Sequence, residues 1–101
     1  MNLDINLIRH GSDAEVRLNG FINAGNAPEV ERILTDVATR FDSVTLDMEK
    51  LEYVSSAGLR TFRQAYAILR KKGGVLYAKN ASKAVIEVFE ITGFLRLFTF
   101  L

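Results

Sequence analysis

Cysteine is absent from this chain and histidine occurs once, as His10. The first absence excludes disulfides and thiolate chemistry, and the second leaves no basis for a histidine-built metal centre, so neither metal nor cofactor is expected. No stretch approaches the ~18 to 20 consecutive apolar residues of a membrane span. Met1-Asn2-Leu3-Asp4 lacks the basic-then-apolar order of a signal peptide, so a cytoplasmic protein without membrane insertion is expected. There is no Gly-x-Ser-x-Gly nucleophile motif, and Gly73-Gly74 lacks the Lys-Ser/Thr of a phosphate loop. Repeats, linkers and low-complexity segments are also missing. The net charge is only +1 and basic residues are not interleaved with aromatics, which argues against direct nucleic-acid binding.

What is present describes an ordinary globular chain. Its 101 residues suffice for one domain, residues 1–101, with a single core, and 49% apolar with 25% charged residues separates it from disordered sequences. The near-zero net charge hides an asymmetry. Residues 1–52 carry five Lys/Arg against ten Asp/Glu, whereas residues 53–101 carry eight against two. The basic excess falls mainly on Arg60, Arg63, Arg70, Lys71 and Lys72, followed by Lys79 and Lys83. It reads either as a solvated helix face, since helix C-termini favour cations, or as a patch for an acidic partner.

Along the chain, Leu3, Ile5 and Leu7 alternate with polar residues, Gly11-Ser12-Asp13 supplies a turn, and Ala14, Val16 and Leu18 alternate again. This predicts an antiparallel hairpin whose second strand ends at Gly20. A loop with Phe21 and Asn23 follows. Asn26 is expected to cap a helix, with Pro28 in its first turn and Glu29 at capping-box distance, and Ala27, Val30, Ile33, Leu34, Val37, Ala38 and Phe41 form its apolar stripe. Val44, Leu46 and Met48 alternate as a strand; after a short loop, Leu59, Phe62, Tyr66 and Leu69 recur at helical spacing. That helix is expected to reach Lys72 and to end on a left-handed Gly73-Gly74. Val75 to Ala78 reads as a strand covered on both faces, and Asn80 or Ser82 as the cap of a third helix with Val85, Ile86, Val88, Phe89 and Ile91 inward. Gly93 stops it before a last strand over residues 95–101. The order implies an α/β fold: a mixed sheet, opening with the hairpin and continuing in parallel strands, with about three helices packed against it.

The joint between the third strand and the second helix is Tyr53-Val54-Ser55-Ser56-Ala57-Gly58-Leu59-Arg60. A serine here can cap the free N–H groups of a helix, and loops at the carboxyl ends of such strands are where α/β folds place ligand sites. Ser55 to Arg60 resembles the Ser-Ser-Ala-Gly-Leu-Arg variant of the signature of the STAS domain, the family of bacterial anti-sigma factor antagonists. Leu18 to Ala27 resembles the family's early Gly-containing loop, and Ile91-Thr92-Gly93-Phe94 its late helix stop, so the likeness spans nearly the whole chain. At two places the family's frequent Asp is replaced, by Asn23 and by Ser55.

The resemblance implies a non-enzymatic binding switch. Ser56, two places before Gly58, is the implied phosphorylation site, and the implied partner is an anti-sigma factor of the serine-kinase type, with a phosphatase to reverse the mark. Phe21, Asn23, Ser55, Ser56, Arg60, Arg63 and Gln64 are the expected partner-binding residues. The competing reading is a constitutive STAS subunit of a larger assembly, such as a lipid-transport ATPase complex or a signalling scaffold, in which the serine only caps; the replaced Asp residues favour it. Asn23 has an equally plain role in holding loop geometry, Asp47 in satisfying loop N–H groups, and Thr61 in bonding back to its own helix. A chain end in the last strand leaves apolar surface for a partner or a homodimer.

Overall fold

The computed structural model describes residues 3–101, so the reading of Met1 and Asn2 lies outside the described residues. Strands β1 (Leu3–His10), β2 (Asp13–Ile22), β3 (Ser43–Val54), β4 (Leu76–Lys79) and β5 (Thr99–Phe100) form one sheet in sequence order. Helices α1 (Ala27–Arg40), α2 (Ser56–Lys71) and α3 (Lys83–Thr92) connect the last four. β1 and β2 are antiparallel, turning at Gly11 with φ +65°, and every later pairing is parallel. The expected mixed α/β fold is therefore the observed one. Because each crossover steps to the next strand in the same direction, crossovers of one hand place all three helices on one face. Burial agrees: Ala14, Val16, Leu18, Val44, Leu46, Leu76 and Ala78 are buried on that face. Phe62 of α2, Phe89 of α3 and Phe98 meet over it, with ring centroids 5.0 to 6.3 Å apart. Among the described residues no helix is long and apolar enough to cross a membrane.

Several local expectations are corrected. Gly20 does not end β2; at φ 122° it sits between two register shifts, and the strand continues through Phe21 to Ile22. At each shift β3 carries one residue more than β2, so the expected short loop before the serines is instead a bulged continuation of β3 to Val54. The Asn26 side chain makes no cap bond to α1, and Glu29 pairs with Arg32 rather than closing a capping box. At α3 the cap is Ser82, whose Oγ accepts from the Val85 N–H at 3.2 Å; Asn80 adopts φ 61° and donates to Asp47 instead. Ile91 is 85% exposed, not inward. β4 buries only Leu76 and Ala78, so one of its faces is covered rather than both. The last strand shrinks to Thr99–Phe100, because Leu95–Leu97 forms a 3₁₀ turn.

The face without helices is polar and carries its own charge network. Glu15, buried on β2, accepts from Arg17 Nε at 3.0 Å and Lys79 Nζ at 3.2 Å, with His10 Nε2 3.6 Å away. Arg17 Nε also lies 3.7 Å from Asp47, whose Oδ1 accepts from the Glu49 N–H and from Asn80 Nδ2, both at 3.1 Å. Burial pushes the Glu15 carboxyl up, but the hydrogen bonds and charges of Arg17 and Lys79 outweigh it and leave the group below its ordinary 4.5. A carboxyl that holds its proton more weakly when folded contributes stability that is complete above its unfolded value and is lost as pH falls through the lower folded one. Glu15→Gln is therefore expected to cost about 1–2 kcal/mol at neutral pH and to flatten the loss of stability in acid. Urea titrations across a pH series check this; an unchanged acid slope in the variant would exclude Glu15 as the acid-labile group.

Candidate functional site

The carboxyl ends of β2 and β3 finish side by side, with Ile22 paired to Val54. The Ser55 N–H donates to the Ile22 carbonyl at 2.9 Å, which ties the start of α2 to the early loop. Ser55 is extended (φ −83°, ψ 173°), and its Oγ accepts from the Gly58 N–H at 3.2 Å. Its hydroxyl is thus committed to capping. Ser56 is the first residue of α2 and is exposed, and its hydroxyl has no hydrogen-bond partner among the described residues. The two serines divide the roles that one serine could not hold together: a cap, and an accessible hydroxyl at the positive end of a sixteen-residue helix.

Gly58 is what lets this joint close. A Cβ built there would lie 2.6 Å from Ile22 Cγ2 and 2.7 Å from Val54 Cγ2, so the first turn of α2 rests directly on the two strand ends. The early loop is locked from within. Asn23 and Asn26 exchange bonds, each side-chain oxygen accepting from the other's backbone N–H at 2.9 and 3.0 Å, and Asn26 Nδ2 donates to the Phe21 carbonyl at 2.9 Å. Asn23 therefore holds the loop that approaches the serines. Thr61, buried, donates to the Gly58 carbonyl at 2.6 Å, as its place inside a helix led one to expect.

The expected partner-binding residues do not form one continuous patch. Ser56, Arg60 and Arg63 are exposed along one stripe of α2, and Asn23 and Ser55 adjoin its start. Phe21 points away from Ile22 and so away from α2; it is half-buried beside its register partner Tyr53 on the polar sheet face. Gln64 is half-buried, with its Oε1 covered and unpartnered among the described residues, rather than facing solvent. Two groups escaped sequence reasoning. Tyr53 is 53% exposed, and carrying the alternation of Val44, Leu46 and Met48 on through the segment read as a loop would have flagged it, because the two bulges together restore the original parity. Phe94 carries the Arg63 guanidinium 5.0 Å above its ring, a contact that no local pattern announces.

The basic excess also resolves. Arg63, Arg70 and Arg96 border one groove between α2 and the corner after α3, with Tyr66, Phe94 and Leu97 in its walls. Lys72 instead donates to the Thr39 carbonyl at 3.0 Å and serves the end of α1. The only histidine, His10, ends β1 beside Asp13, at the opposite end of the sheet from the serines.

Fold and joint together define a small α/β module that presents an exposed hydroxyl at Ser56 beside the capping Ser55, with Arg60 and Arg63 along the same helix. The STAS domain family pattern matches residues 4–101, and the chain belongs to that family. It is 28% identical over 93 residues to the anti-sigma-B factor antagonist of Bacillus subtilis (strain 168), spanning 92% of this chain and 85% of that one. Its fold is similar to that of the anti-sigma factor antagonist SpoIIAA in its unphosphorylated form, with a TM-score of 0.84 at 16% identity over 97% of this chain and 88% of that one. It is likewise similar to the Bacillus cell fate determinant SpoIIAA in the phosphorylated form, with a TM-score of 0.76 at 15% identity over 97% and 91%.

Proposed function

We propose that this chain is a phosphorylation-controlled antagonist: unphosphorylated, it captures an anti-sigma factor of the serine-kinase type, and phosphorylation of Ser56 ends the capture. The observation that carries the reading is the division of labour at the joint, where Ser55 is spent on the Gly58 N–H while the Ser56 hydroxyl stands exposed. The relatives named above as anti-sigma factor antagonists support the partner class, and the existence of a phosphorylated form of SpoIIAA supports the modification.

In the step itself the Ser56 Oγ attacks the γ-phosphorus of ATP bound to the kinase. An Oγ–P bond forms, the bond to the ADP oxygen breaks, and the hydroxyl proton passes to a base on the kinase. The new group brings about −1.5 to −2 charges to a helix N-terminus, where free N–H groups and the dipole accommodate it without unfolding. The domain survives and the contact surface changes.

The test is Ser56→Ala. The variant is expected to stay folded, to bind a cognate anti-sigma kinase as the parent does, and to incorporate no phosphate from ATP by mass spectrometry. If alanine at 56 still takes up one phosphate, mapped to Ser55 or Thr61, the assignment is wrong. If neither parent nor variant is ever modified or captured, the constitutive-subunit reading takes over; the spent amide of Asn23, in a position where the family often carries Asp, is the feature that favours it.

A further inference from the structure

Ser56, Leu59, Arg60, Arg63, Thr92 and Phe94 line one cleft of about 210 Å³. The geometry points to this cleft as a built-in receptor for the phosphate of phosphoserine 56: Arg60 and Arg63 close on the phosphate within the same molecule and so leave the partner-facing surface. This rests on Ser56 being the modified residue.

On an α-helix, residues four and seven places on from Ser56 return to nearly the same azimuth, about 6 and 10 Å further along the axis. Helical side chains lean toward the N-terminus, so both long arginine side chains lean back toward Ser56 rather than away from it. Neither arginine has an ion-pair partner among the described residues. Arg63 already rests on the Phe94 ring at the cleft wall. The walls contributed by Leu59 and Phe94 are themselves buried, and such apolar surface strengthens a charge pair by lowering the local dielectric. Guanidinium forks match phosphate oxygens in pairs, which a lysine in either place would not do. Arg60 has one competing carboxylate, Glu31, across the groove between α1 and α2 that both residues border.

The consequence is a release mechanism with two parts. The phosphate adds negative charge, and it also withdraws two cations that would otherwise meet an acidic partner. An aspartate at position 56, shorter and singly charged, supplies only a fraction of the first part and little of the second.

The experiment places phosphoserine at position 56 by codon suppression in the parent, Arg60→Gln/Arg63→Gln and, as a remote control, Arg32→Gln. Phosphorus NMR titration then reads the second ionisation of the phosphate. In the parent it is expected below the usual value of about 6. In the double variant it is expected higher than in the parent by about half a unit or more, the helix terminus accounting for what remains. The difference should shrink in high salt, and Arg32→Gln should match the parent. Coincident titration of parent and double variant would overturn the receptor. Because the phosphoserine is installed without a kinase, that failure is separate from failure of the switch, which would show as an unmodified Ser56 in the kinase assay.

Discussion

Gly58→Ala is expected to destabilise the domain by about 2 kcal/mol, even though alanine is the better helix former by up to ~1 kcal/mol. The reason lies across the helix from the exposed serine. The added Cβ falls 2.6 Å from a methyl of Ile22 and 2.7 Å from a methyl of Val54, and both side chains are buried, β-branched and confined to few rotamers. Neither neighbour can swing aside, so α2 must lift from the strand ends, stretching the Ser55 N–H bond to the Ile22 carbonyl. For a chain of this length the loss corresponds to a fall of about 10 °C in Tm. Denaturant unfolding should show a lower midpoint with an unchanged slope. A variant as stable as the parent would mean that the helix start is not seated as described. Combined with Ile22→Ala, the double variant should lose less than the sum of the two single losses, because the two substitutions share one contact.

Ser56→Asp is expected to weaken capture of the anti-sigma kinase by about tenfold to a hundredfold, or ~1.4–2.8 kcal/mol, while leaving Tm nearly unchanged. The fold tolerates the change because residue 56 is exposed and a carboxylate at a helix start is favoured by the dipole. On the proposed reading capture is expected to suffer, because the charge is new beside the exposed Arg60 and Arg63. Genuine phosphorylation should weaken capture further than aspartate does. Calorimetry with the purified kinase separates the three forms: equal affinity of parent and aspartate variant would remove Ser56 from the interface, and a collapse of Tm would place the residue in a buried site.

Much of this was legible in the chain because it depends on short-range chemistry. Alternation in β1, β2 and the first half of β3, helical spacing from Leu59 to Leu69, and glycines able to adopt positive φ at Gly11, Gly73 and Gly93 are properties of neighbouring residues, and the structure bears them out. The Ser55-Ser56-Ala57-Gly58-Leu59-Arg60 signature located the joint for the same reason. The places where sequence reasoning went astray are those where a partner strand or helix intervened. Gly20 looked like a strand end because glycine so often is one, yet the neighbouring β3, with its two extra residues, lets β2 pass through it to Ile22. Asn26 does hold the N-cap position of α1, but its side chain bonds Asn23 and the Phe21 carbonyl instead of the helix N–H groups.

The sequence by itself determined the element order, the family and the serine pair, because hydrophobic period, turn residues and capping chemistry act over a few residues. Only the tertiary structure decided which serine is spent and which is free, since that turns on the Ser55 N–H reaching Ile22 on a distant strand. It alone made Gly58 obligatory through two side chains, one of them 36 residues away in sequence, and set Phe94 beneath Arg63. Contacts of that kind depend on where the sheet delivers each element, and no local pattern encodes the distance between two surfaces that meet only after the chain has folded.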